Sequence, residues 1–218
     1  MRSAPFAAVL DPQLYGQEIA FTPWGWEPVL DSWTFPGQEG KPTRVDVYSI
    51  DDEVELRING ETVGRKPAGA AVENKVRFEV IYQPGTLEVI GYKEDKETER
   101  FKLVTASGPA ALVLTPDQSA IPADTGSIAY VEIQVRDQNG VLVQHGEPEI
   151  TVDVRGAGEL IAVGTGNPVS EEMYVGHQRK AYQGHLLAVV RSNGQPGEIA
   201  LTARTEGLPK AQIRLQAE

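Results

Sequence analysis

The chain has 218 residues, enough for one large or two ordinary hydrophobic cores. Its formal net charge of −11 opposes a polyphosphate ligand, which sets aside nucleic acid and anionic membrane as partners. The absence of cysteine excludes a disulfide scaffold and thiolate metal sites, and no apolar run approaches the length of a spanning helix.

The opening residues "MRSAPFAAVL" lack the long apolar core of a signal peptide, and the compartment is left open. Residues 1–40 hold all three tryptophans, Trp24, Trp26 and Trp33, among Phe6, Phe21 and Phe35, with little periodicity. So many apolar rings do not suit a free linker. The stretch is expected to be a connector from a missing partner, packed on the domain that follows. Trp33 is expected to be the best buried of the three, with Trp24 or Trp26 partly exposed.

From residue 41 the pattern changes to a period of two. Val45 and Val47 alternate with Asp46 and Tyr48, as in a half-buried strand. Val54, Leu56 and Ile58 take one face of the next strand, and Glu53, Glu55 and Arg57 take the wet one. Truncating Glu55 is therefore expected to leave stability nearly unchanged. Asn59-Gly60 tolerates positive φ at both centres of a type I′ turn, and Val63 lies on the return strand. Val76, Phe78 and Val80 point inward ahead of a Pro84-Gly85 turn, and "TLEVIGYK" and "RFKLV" follow.

Small residues with Gly108 and Pro109 interrupt the strands over 105–112, so a first β-sandwich is expected over 41–107 and a second over 108–218. In the second, Ala129, Val131, Ile133 and Val135 share a face before another Asn-Gly turn, Asn139-Gly140. Strand-like runs from "EITVDV" to "AQIRLQ" complete it. No amphipathic helix of useful length is legible. Many short strands with 22 Gly and 15 Pro give an all-β class: two tandem immunoglobulin-like antiparallel β-sandwiches.

Chemistry is sparse. The histidines His145, His177 and His185 match no zinc spacing and read as surface or loop residues. No Gly-x-Ser-x-Gly elbow is present. "VGTGNPVSEE" superficially resembles a phosphate loop, but Gly164 and Gly166 have no Lys and no helix behind them. "RDQNG" and "PADTG" lack the ladder of acids that a calcium loop needs. The neighbours Asp51-Asp52 and Glu171-Glu172 read as solvated charge clusters rather than an acid/base pair. No catalytic residue, metal site or cofactor is assigned.

The segment "GWEPVLDSWTFPGQEGKPTRVDVYSIDDEVELRINGETVGRKP", residues 25–67, resembles a stretch found past the catalytic barrel of bacterial glycoside hydrolase family 2 enzymes, mostly β-galactosidases. "YQPGTLEVIGYKEDKE" continues that module. "IPADTGSIAYVEIQVRDQNGVLV", "GAGELIAVGTGNP" and "RKAYQGHLLAVVRSNGQPGEIALTARTEGL" resemble the family's C-terminal sandwich. The likeness covers nearly all of the chain after Tyr15, with Phe35 in place of a Trp and Asn167 where an acid is frequent.

In that family the acid/base and nucleophile glutamates stand on the barrel, and no segment here matches it. The resemblance thus implies a non-catalytic, structural C-terminal region of an enzyme acting on β-galactosides. It would pack on the barrel or self-associate through the exposed seam. Two alternatives remain open. One is an oligosaccharide-binding module stacking sugars on Trp24, Trp26 and Trp33; the other is a bacterial immunoglobulin-like adhesin repeat, since the start of the second half also resembles invasin-type domains. Tryptophans clustered at such a boundary favour interface filling over a sugar platform.

Overall fold

The computed structural model describes residues 4–18 and 27–218, so Trp24 and Trp26 lie outside the described residues. The chain forms two compact units, Met1–Thr105 and Ala106–Glu218.

The first unit contains β1 (Phe6–Leu10), β2 (Val29–Leu30), β3 (Pro42–Tyr48), β4 (Glu53–Ile58), β5 (Glu61–Pro67), β6 (Lys75–Ile81), β7 (Thr86–Lys93) and β8 (Lys96–Val104). They pair as two sheets, β2-β1-β3-β6 and β5-β4-β7-β8, and every pairing within them is antiparallel. Alternation drives the sandwich. Val45 and Val47 from β3 and Val76 and Phe78 from β6 meet Val54 and Leu56 from β4 and Leu87 and Val89 from β7 in one core. Strands with one apolar face can bury it only against a second sheet.

The expectation of a connector over 1–40 needs correction. β1 pairs with β3 from Phe6↔Tyr48 to Val9↔Val45 and supports β2 on its other edge, so this stretch supplies strands to the sheet. Periodicity missed β1 because Ala7, Ala8, Val9 and Leu10 are all buried, leaving no polar face to alternate with.

Asn59-Gly60 forms the expected turn, with φ of 52° and 85°. A bulge follows it, since Leu56 pairs with Gly64 and Arg57 with Thr62, leaving Val63 as the extra, exposed residue. The Asn59 side chain also ties its own turn to the Pro84-Gly85 turn, accepting from Thr86 N at 2.8 Å and donating to Pro84 O at 3.1 Å.

The second unit contains β9 (Ala111–Pro116), β10 (Ala120–Ile121), β11 (Ile128–Arg136), β12 (Glu149–Gly156), β13 (Gly158–Gly164), β14 (Gln178–Lys180), β15 (His185–Ser192), β16 (Gly197–Arg204) and β17 (Ala211–Ala217). Its sheets are β10-β17-β16-β12-β14 and β13-β15-β11-β9, antiparallel but for the short parallel pair β10–β17. Val131, Ile133 and Leu186 from one sheet meet Val152, Ile199 and Leu201 from the other in the second core. The turn expected at Asn139-Gly140 is centred one residue earlier. Gly140 N donates to Asp137 O at 3.0 Å, so Gln138 and Asn139 are the central pair and only Gly140, at 78°, has positive φ. Asp137 sets this register by accepting from Asn139 N and Val141 N, both at 2.8 Å.

Leu56 is fully buried, so Leu56→Ala should cost about 2–5 kcal/mol through lost transfer energy and the cavity left behind. Val63→Ala, at the bulge, should change stability by no more than about 0.5 kcal/mol. Denaturant unfolding of both variants checks the facing of the hairpin, and equal losses would contradict it.

Candidate functional site

Catalysis by a glycosidase would need carboxyl groups free to hold, give or take a proton. Among the described residues the buried carboxylates are Asp46, Asp51, Glu55 and Asp137. Each is enclosed by donors.

Asp46, on the central strand β3, is 0% exposed. Arg77 Nε donates to it at 2.9 Å, Lys75 Nζ stands at 3.0 Å and Arg44 Nε at 3.2 Å, while Glu27 bridges Arg44 and Lys75. Burial pushes the Asp46 carboxyl up, but the hydrogen bond from Arg77 and the nearby Lys75 ammonium, with Arg44 beside them, outweigh it and hold it below the usual carboxylate range.

Glu55 corrects the expectation of a wet face: it is 7% exposed. Arg57 Nε at 2.7 Å and Thr62 Oγ1 at 2.6 Å donate to one oxygen, and Tyr92 OH donates to the other at 2.8 Å. The Arg57 hydrogen bond leads in lowering its pKa to about 2, against the upward push of burial. Alternation had assigned Glu55 to the correct side of β4, but that side is roofed by its neighbours.

Asp51 is likewise no solvated cluster. Ser49 Oγ donates to it at 2.5 Å and Thr98 Oγ1 at 2.8 Å, and a Cβ at Gly91 would collide with its carboxylate. Asp137 accepts from Ser107 N at 2.9 Å and Ser107 Oγ at 3.0 Å besides its turn amides. Burial pushes it up, and these hydrogen bonds bring it below the usual range.

Trp33 cannot serve as a sugar platform, because it is 0% exposed. Its ring meets Tyr82 edge-on at 5.0 Å and 77°, and Phe35 meets the same tyrosine at 5.4 Å and 85°. Thr105 Oγ1 donates to Trp33 O at 2.5 Å and accepts from Gly85 N at 2.9 Å, fixing the backbone there. A fully buried tryptophan packed edge-on against Tyr82 is core.

The histidines have separate local partners. His177 Nδ1 lies 3.1 Å from Val152 O, His185 Nδ1 lies 2.8 Å from Glu132 Oε1, and His145 is exposed. No group of three or more His, Cys, Asp or Glu among the described residues could hold a metal ion. The loop after Gly164 and Gly166 leads to the short strand β14 rather than to a helix.

One feature escaped sequence reasoning. The outer face of the β13-β15-β11-β9 sheet carries a concavity of about 440 Å³. Its floor follows the strand register, with Ala162 beside Val189 and Gly164 beside Leu187, and the Glu132–His185 pair stands at its polar end. Tyr174 forms one wall and is 59% exposed. The signal available was "HLLAVV" in β15, apolar on both faces where an antiparallel sandwich strand usually keeps one wet.

Comparison with known proteins places this architecture. Residues 112–214 match glycoside hydrolase family 2 C-terminal domain 5. The second unit is a family 2 C-terminal domain. Residues 40–99, ahead of that domain, match a family described as a domain of unknown function, DUF4982.

The chain is 34% identical over 201 residues to the beta-galactosidase BoGH2A of Bacteroides ovatus, covering 91% of this chain and 22% of that protein. It is 29% identical over 179 residues to a putative beta-glucuronidase of Formosa agariphila, covering 79% of this chain and 17% of that one. A crystal structure of a glycosyl hydrolase family 2 member from Bacteroides cellulosilyticus superposes over 100% of this chain with a TM-score of 0.92 and 32% identity, using 29% of its own length. The chain thus spans about a fifth of the curated relatives it matches. In them the region containing the family 2 C-terminal domain is one part of a larger protein.

The Glu55 network generates a pH prediction. Its folded pKa lies near 2, below an ordinary value of 4.5, so its contribution is present above about pH 4.5 and is lost as pH falls through 2. The contribution is about 3 kcal/mol at most. Glu55→Gln should flatten this part of the stability–pH curve of the first unit, measured by urea unfolding from pH 6 down to about pH 2. An unchanged slope would contradict the network.

Proposed function

We propose that this chain is a non-catalytic accessory region of a family 2 glycosidase acting on β-galactosides, whose two sandwiches pack against the catalytic barrel of the same enzyme. The observation that carries this reading is the state of the buried acids. Asp46, Glu55 and Asp137 are held below the usual carboxylate range, the opposite of what a general acid requires. They act as acceptors that tie strands and turns together.

The named relatives support the parentage, one a beta-galactosidase and one a putative beta-glucuronidase. The adhesin-repeat reading loses support, because the residues that suggested it lie within the stretch matching the family 2 C-terminal domain. A sugar platform on Trp33 loses support from its burial.

The chain alone should hydrolyse neither nitrophenyl β-galactoside nor nitrophenyl β-glucuronide above the buffer rate. Steady-state release of nitrophenol that disappears on substitution of one carboxylate, such as Glu55→Gln or Asp51→Asn, would overturn the proposal.

A further inference from the structure

The concavity on the second unit goes beyond an accessory packing role, because that role needs no ligand. Its construction begins with Arg179, which is 1% exposed in a chain where most cations are solvated. Its guanidinium donates to Glu172 O at 2.9 Å and to Ser170 Oγ at 3.3 Å, so it anchors the loop between β13 and β14 from beneath. The same guanidinium stacks 4.5 Å from the Tyr174 ring centroid. Tyr174 O also accepts from Val163 N at 2.8 Å, which fixes the backbone of the tyrosine against the sheet. A buried charge and a strand-like hydrogen bond thus hold an aromatic ring out over an apolar floor. Gly164 lies directly beneath, where an added Cβ would stand 3.4 Å from the ring.

The chemistry at the two ends of the concavity differs. Leu187, Val189 and Ala162 offer aliphatic surface, and Tyr174 offers a flat ring. Glu132 and His185, hydrogen-bonded at 2.8 Å and both part-exposed, offer a carboxylate and an imidazole held in fixed positions. A dry protein contact over this face would desolvate that pair without replacing its water. A ligand carrying hydroxyls on its rim and C–H groups on its face would satisfy both ends. The volume lies within the range of small-ligand sites, about 300–1,000 Å³.

We propose that this concavity is a binding site for a neutral hexopyranoside residue. The apolar face of the sugar stacks on Tyr174 above Leu187 and Val189, and two of its hydroxyls are held by Glu132 and His185. The carboxylate of Glu132 disfavours a uronic acid at the same place through like-charge repulsion.

The test is a ¹H–¹⁵N NMR titration of the 218-residue chain with methyl β-galactopyranoside, lactose and glucuronic acid. The neutral sugars should give saturable shifts at the amides of Gly164, Thr165 and Leu187, and glucuronic acid should bind at least about tenfold more weakly. Tyr174→Ala should weaken neutral-sugar binding roughly tenfold or more, and Glu132→Gln should weaken it by several fold. Tyr48→Ala, in the first unit, should leave it unchanged. Tyr174 is exposed and Glu132 part-exposed, and neither belongs to the hydrophobic core, so the spectra of both variants should remain those of the folded chain. Absence of saturable shifts at these amides with either neutral sugar, shifts that persist in Tyr174→Ala, or equal binding of glucuronic acid would each overturn the proposal.

Discussion

Each unit depends on one constraint: a strand with an apolar face must meet a second sheet, and a carboxylate that ends up beneath cover must have donors or cations around it. The first half of that constraint assembles Leu56, Val89, Val47 and Phe78 in one unit and Ile133, Leu186 and Leu201 in the other. The second half explains the charges. Asp46 sits on a central strand with no exposed surface, where an unpaired carboxylate would be too costly to keep. Arg44, Lys75 and Arg77 converge on it from β3 and β6, and Glu27 offsets the excess positive charge. Glu55 and Asp137 repeat the solution at smaller scale, one with side-chain donors and one with turn amides.

This use of carboxylates bears on function. In the relatives named as a beta-galactosidase and a putative beta-glucuronidase, the matching region is 22% and 17% of the protein. A region that commits its buried acids to holding turns and strands is suited to carrying other parts of an enzyme. What it leaves open to solvent, the Tyr174 concavity with its Glu132–His185 pair, is organised by an interior arginine rather than by the core.

The two-sandwich architecture was legible wherever one face of a strand is wet and the other dry. Val54, Leu56 and Ile58 alternate cleanly, and the Asn59-Gly60 turn follows from the backbone freedom of those two residues. β1 was not legible, because both of its faces are buried and period two vanishes. Alternation also reports a side, not its exposure. Asp46 and Glu55 point away from the core as their positions demand, yet neighbouring long side chains cover them. The Asn139-Gly140 turn slipped by one residue because the Asp137 carboxylate, which decides the register, acts through side-chain geometry that a dipeptide pattern does not contain. The concavity depends on a long-range meeting of β11, β13, β15 and a loop, and only the doubly apolar "HLLAVV" hinted at it.

The buried acids serve as fixed acceptors. Carboxyl ¹³C titration by NMR tests this role most directly, following Asp46, Glu55 and Asp137 in the folded chain. All three should titrate below the ordinary range of their side-chain types, with Glu55 near 2. A midpoint near neutrality for any of them would reveal a carboxyl able to hold a proton for catalysis, and would contradict it.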